Sequence, residues 1–134
     1  MNETNEFSFM IKPAEHGVGV FATHAIAAGT RLRVFADTNP VRWLKKEDVP
    51  EIFRDWCASK GDKLICPPDF GYMPIGWYLN HSNTPNATHD PKEDAGAYGL
   101  WYAACDIQEG EEITIDYNQL EEPEEEKKEY YRAP

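Results

Sequence analysis

The stretch Trp77-Tyr78-Leu79-Asn80-His81-Ser82-Asn83-Thr84-Pro85-Asn86 constrains this chain more than any other. Three large side chains are followed at once by an Asn-His-Ser triplet, and a Pro-Asn turn signal closes the segment. Amide, imidazole and hydroxyl groups are therefore held at the edge of something packed, which is how a site is built. Alone, the triplet reads more simply as a loop capped by Asn and Ser with His81 on the surface. Two distant segments change that reading: His16-Gly17-Val18-Gly19-Val20-Phe21-Ala22 upstream, and Cys105-Asp106-Ile107-Gln108-Glu109-Gly110-Glu111-Glu112-Ile113-Thr114-Ile115-Asp116-Tyr117 downstream.

The 134 residues give room for one domain with a modest core, since about 100 to 150 residues is the commonest domain size. Residues 1–134 read as a single domain, with its core at 7–117 and an acidic C-terminal tail at 118–134. Apolar runs are short and residues 1–6 are polar, so neither a membrane span nor a secretory signal is read, and the expected location is the cytoplasm, or the nucleus in a eukaryote. Cys57, Cys66 and Cys105 form no CxxC pair and are odd in number, which argues for a reducing compartment and for small buried residues rather than ligands. A net charge of -11 argues against direct nucleic-acid binding and for a cationic partner. Part of that charge lies in Glu121-Glu122-Pro123-Glu124-Glu125-Glu126, which is either a partner-attracting surface or a solvated arm with no partner. Oligomeric state is not legible.

Residues 7–11 alternate loosely and predict a first strand ending near Pro13. Gly17 and Gly19 either permit a bend in a β ribbon or let a ligand press against bare backbone. A dinucleotide fingerprint needs a third glycine and a helix start, and Phe21-Ala22-Thr23 supplies neither. A turn at 26–30 leads into a strand at 31–36. Asp48 as cap, Pro50 in the first turn and Ile52, Phe53, Trp56 and Cys57 at helical spacing predict the one main helix, with Trp56 in the core and Gly61 as the stop. Residues 66–71 read as a loop, 72–79 as a short irregular or 3₁₀ segment, 89–94 as an exposed excursion without metal-ligand spacing, and 98–104 as a strand. In the last strand Ile113, Ile115 and Tyr117 alternate with Glu112, Thr114 and Asp116. The fold class is mostly β, α+β at most.

The order G-x-G-x-F-A, then N-H-S-x-x-P-N, then D-I-x-x-G-E-E-I-T-x-D-Y resembles the SET-domain family of protein lysine methyltransferases. Each motif alone is weak; three in the family's order, over about residues 7–117, are specific. The resemblance implies a β-clip fold of short strands, with a knot-like threading of the last segment that brings the N-H-S and D-Y motifs together. It also implies transfer of a methyl group from S-adenosyl-L-methionine to a lysine on a basic protein segment, such as a histone-like tail or a ribosomal protein.

By the same resemblance Tyr117 matches the catalytic tyrosine, whereas on its own it reads as a core tyrosine with a satisfied hydroxyl. Asn80 and His81 match cofactor contacts, the first through its amide to the methionine portion, the second largely through its backbone to the adenine. Gly17, Val18 and Gly19 match the strand that cradles the methionine end, and Gly110 and Glu111 shape a turn. Tyr78, Ile115 and Trp101 are candidate walls of the lysine channel. Period two puts Ile115 on the face of Tyr117, and its small side chain leaves room for a dimethylated or trimethylated product.

The sequence also departs from the family. Many members carry a cysteine where Asn83 stands and a C-x-C segment after the catalytic tyrosine, together holding a zinc; with no cysteine after Cys105, no metal is expected. The lid then comes from elsewhere: Tyr130 and Tyr131 either fold back over the cofactor or belong to a frayed terminus. Two other readings stay open, a non-catalytic interaction module with the same fold and a methyltransferase of a non-protein amine. Intact Asn80, His81 and Tyr117 favour the enzyme.

Overall fold

In the computed structural model, which describes residues 2–15, 17–35, 41–89 and 100–120, one strand near the C-terminal end of that range joins the rest. The strands, in chain order, are β1 (Phe9–Ala14), β2 (Gly17–Ala22), β3 (Arg31–Leu32), β4 (Arg42–Lys45), β5 (Ala58–Lys60), β6 (Lys63–Cys66), β7 (Asn80–His81), β8 (Ala87–His89), β9 (Trp101–Ala103) and β10 (Glu112–Ile115). They form three small sheets ordered β1-β2-β10-β7, β3-β9-β8 and β4-β6-β5. Strand predominates over helix among the described residues, as expected.

In the first sheet β10 lies between two earlier strands. It pairs antiparallel with β2, Ile113 opposite Val20, and parallel with β7, Thr114 opposite Asn80 and Ile115 opposite His81. That insertion is the part of the threaded arrangement that strand pairing describes. β1 and β2 pair along their whole length, Phe9 opposite Ala22 and Ala14 opposite Gly17. The first strand thus runs through Pro13 rather than stopping there, which is tolerated because β1 is a sheet edge and needs no donor on its outer side.

Alternation in β10 works as period two requires. Ile113 and Ile115 are buried with Val20, Leu79 and Ile107 in the main core, while Glu112 and Thr114 face outward. Each such aliphatic side chain contributes about 2 kcal/mol by leaving water. The alternation does not reach Tyr117. Asp116 Oδ1 accepts the Asn118 backbone N–H at 2.9 Å, capping a 3₁₀ turn at Tyr117–Leu120. Tyr117 therefore leaves the strand, half-buried, and packs against the main core that holds Ile115.

The expected helix is the largest difference. Only a 3₁₀ turn at Lys46–Asp48 and α1 (Glu51–Arg54) form, and the residue at the cap is Pro50, with no side-chain cap. Residues from Ala58 onward pair instead in the β5–β6 hairpin, where Gly61 takes φ 68° at the turn. Helical spacing consequently does not govern burial here. Ile52 is 77% and Trp56 39% exposed, while Val49, Cys57, Leu64 and Cys66 form a satellite core. In it the Cys57 thiol donates to Cys66 Sγ at 3.4 Å, and burial pushes the Cys66 thiol up, so both are buried thiols as expected. Cys105, also expected inside, is exposed.

His89, read as part of an exposed excursion, is buried in β8 against Trp101, their ring centres 4.8 Å apart. The strand expected at 31–36 covers only Arg31–Leu32, and that expected at 98–104 only Trp101–Ala103. Residue 36, residues 90–94 and residues 98–99 of those readings lie outside the described residues. Among the described residues no helix is long and apolar enough to cross a membrane.

The segment before the Asn-His-Ser triplet is a 3₁₀ helix, Ile75–Tyr78, seated through Gly76. Its N–H bonds Val34 O at 2.7 Å, and an added Cβ would lie 2.7 Å from the Phe35 ring and 2.8 Å from Val34 O. Gly76→Ala is accordingly expected to lower stability by about 1–3 kcal/mol, read as a lower urea midpoint with an unchanged denaturant slope.

Candidate active site

Strand pairing around β10 gathers the three sequence motifs. Asn80 and His81 lie on one side of it as β7, Gly17 to Ala22 on the other as β2, and Tyr117 follows two residues after its end. Ser82 N–H continues the β7 pairing by donating to Ile115 O at 2.8 Å.

Asn80 is held through its amide nitrogen, which donates to Val18 O at 2.9 Å and to Glu112 Oε2 at 2.8 Å. The glycines have separate reasons. Gly17 takes φ 81°, which side chains rarely adopt, whereas a Cβ on Gly19 would overlap Glu112 Oε2 and sit 3.0 Å from Asn80 Nδ2. Gly19 thus leaves the space that the Glu112 carboxylate occupies beside Asn80, while Val18 lends its carbonyl and leaves its side chain exposed.

His81 uses its ring inside the chain. Nδ1 accepts the Tyr117 backbone N–H at 3.0 Å and Nε2 meets Asn83 Oδ1 at 2.9 Å, a pattern that fits the tautomer protonated at Nε2. Only 7% of its side chain is exposed. The His81 and Tyr117 rings lie 5.3 Å apart, and the Tyr117 hydroxyl donates to Leu79 O at 2.6 Å. With its proton taken by that carbonyl, the phenol oxygen keeps lone pairs to accept a hydrogen bond from another group.

Of the candidate channel residues, Tyr78 is half-buried and packs edge-on against Trp56, ring centres 5.1 Å apart. Trp101 is 0% exposed in the main core, opposite Leu32 in β3, so its ring belongs to packing and is no channel wall. Ile115 is likewise a core residue at 2% exposure. Tyr130 and Tyr131 lie outside the described residues.

Sequence reasoning misses three residues. Helical spacing puts Trp56 in the core, but the helix ends at Arg54 and Trp56 is the aromatic beside Tyr78. Glu112 stands on the outward face of β10, where alternation could have aligned it with the glycine motif. Asn86 reads in sequence only as a turn signal, but is a buried strap: Nδ2 donates to Glu112 O at 2.8 Å, Oδ1 accepts Thr114 N–H at 2.9 Å, and its own carbonyl accepts Ala104 N–H at 2.8 Å. Among the described residues no group of three or more His, Cys, Asp or Glu is placed to hold a metal ion.

A sequence model of the SET domain matches residues 17–118, most of the chain, and the protein belongs to the SET-domain family. No curated protein matches the sequence. Among solved structures, a Plasmodium falciparum protein described as a candidate histone methyltransferase superposes with a TM-score of 0.54 at 23% identity, covering 83% of this chain and 93% of that one. KRYPTONITE, in complex with mCHH DNA, an H3(1-15) peptide and SAH, superposes with a TM-score of 0.55 at 19% identity, covering 84% of this chain. The matched region is 23% of that longer protein. At these identities the likeness is one of fold.

Asn86→Ala is expected to cost about 1–3 kcal/mol, because buried groups at Glu112 and Thr114 lose their partners. The check is a thermal or urea melt; a variant as stable as the parent would show that Asn86 does not support β10.

Proposed function

We propose that this protein is an S-adenosylmethionine-dependent lysine N-methyltransferase acting on an extended, basic protein segment. The observation that carries the reading is the hydroxyl of Tyr117, fixed on Leu79 O between the Asn80-His81 strand and the end of β10. The histone-methyltransferase description of one structural neighbour, and the H3(1-15) peptide and SAH bound to the other, support it. The net charge of -11 supports a basic substrate, whose encounter it would accelerate.

The cofactor's fit rests on Asn80. Its amide nitrogen is satisfied within the chain while its carbonyl oxygen has no hydrogen-bond partner among the described residues, leaving an acceptor for the amino-acid end. Bound S-adenosylmethionine would supply a methyl group on a sulfonium centre that departs as a neutral thioether. The chain's part is alignment and keeping the amine neutral, because a lysine of ordinary pKa about 10.4 is protonated at pH 7 and an ammonium has no lone pair. Aromatic surface such as Tyr78 disfavours the charged form by desolvation. Tyr117 accepts an N–H of the neutral amine on its phenol oxygen and so points the nitrogen lone pair away from itself. His81 fixes the tyrosine backbone, and Leu79 fixes the hydroxyl rotor. The cytoplasm or nucleus is the setting this reading implies.

Incubation with labelled S-adenosylmethionine and a basic-protein extract, then mapping of labelled lysines, tests the activity. No labelled lysine together with no rise in melting temperature on adding S-adenosylhomocysteine would sink the reading. Tyr117→Phe is expected to lower kcat roughly 10²-fold or more while cofactor affinity stays near the parent value; equal loss of both would contradict the role. Truncation after Gln119 tests the tail: joint loss of activity and cofactor affinity supports the Tyr130–Tyr131 lid, and retention of both supports a solvated arm.

A further inference from the structure

We infer that Glu112 is a positioning residue that sets which way the Asn80 amide faces, making the Asn80 carbonyl oxygen the acceptor for the ammonium of the cofactor's amino-acid portion. The inference rests on the cofactor reading above.

Both hydrogens of Asn80 Nδ2 are taken, by Val18 O at 2.9 Å and by Glu112 Oε2 at 2.8 Å. These partners are a carbonyl and a carboxylate, which only accept. Turned over, the amide would set its own oxygen against both, so the orientation is dictated by chemistry. Oδ1 then has no hydrogen-bond partner among the described residues. An oxygen acceptor whose amide dipole is held from behind by a carboxylate suits a cationic amine and disfavours an anion.

Val18 O alone is a weak lock, being a neutral acceptor, and the carboxylate bond is the stronger of the two. Glu112 reaches Asn80 because the register sets it on the outward face of β10, two residues before Thr114, which pairs with Asn80. The site is cleared for it at Gly19, where a Cβ would overlap Glu112 Oε2. Adjacent Glu111 acts elsewhere, accepting Gln108 N–H at 3.1 Å and supporting the turn.

Glu112→Gln separates orientation from packing, since it keeps the size but supplies an NH₂ that can bond the turned-over amide oxygen. Titration calorimetry compares S-adenosylhomocysteine, which carries the ammonium, with 5′-methylthioadenosine, which lacks the amino-acid portion, on parent and variant. The expected result is about a tenfold loss of affinity for the first, unchanged affinity for the second, an unaltered ligand-free melting temperature, and a rise in KM for S-adenosylmethionine with kcat preserved at saturation. Unchanged affinity for S-adenosylhomocysteine, or equal loss for both ligands, overturns the positioning role. If Glu112→Gln does not fold, Glu112→Asp, which keeps the charge but is one methylene shorter, is measured against the same outcomes. Failure of the parent protein to bind S-adenosylhomocysteine would instead overturn the cofactor reading itself, and this inference with it.

Discussion

The structure depends on β10 being paired on both sides. A strand inside a sheet must satisfy N–H and C=O groups on two edges, and here they are met by β2 antiparallel and β7 parallel. The register is strongly specified, because a one-residue slip would turn Ile113 and Ile115 out of the core and drive Glu112 and Thr114 into it. That single register brings three segments far apart in sequence to one place.

Side chains then refine what backbone pairing sets out. Asn86 bonds the backbone of β10 on both sides of Ile113, while Asn80 ties the same strand to β2. His81 spends its ring on the Tyr117 backbone, and the tyrosine spends its proton on Leu79. These groups are thereby held by short bonds to β2, to β10, to the 3₁₀ turn at Tyr117 and to Leu79, the residue that joins the 3₁₀ helix Ile75–Tyr78 to β7. Such preorganisation suits the proposed methyl transfer, which calls for little acid-base chemistry.

The sheet β4-β6-β5 sends Ala58 and Ile65 into the main core and buries thiols and aliphatic side chains of its own in the satellite core. One of its contacts with the site is aromatic: Trp56, next to Cys57 and just before β5, rests on Tyr78 of the segment entering β7. An edge-to-face pair of this kind adds about 0.5–1.5 kcal/mol beyond area burial, and it leaves Trp56 partly open beside the proposed site.

Much of the site was legible in the sequence because its motifs are local. Asn80-His81, Gly17-Val18-Gly19 and Asp116-Tyr117 are short strings whose residue types are dictated by hydrogen bonding, and their order along the chain marked the family before any geometry was known. Period two also placed Ile113 and Ile115 inward, since a strand's faces are a matter of counting. Counting failed where a distant partner or a cap overrode it. Pairing with β6 took residues from Ala58 onward that the helical spacing had claimed, and the Asp116 cap turned Tyr117 out of the strand. Trp101 went to the core because β9 lies between β3 and β8 with its ring facing inward. Which groups on β2, on β10 and at Tyr117 are bonded by Asn80, Asn86 and His81 was settled only in three dimensions. Those partners lie 26 or more residues away along the chain, and most are backbone atoms that carry no sequence signal.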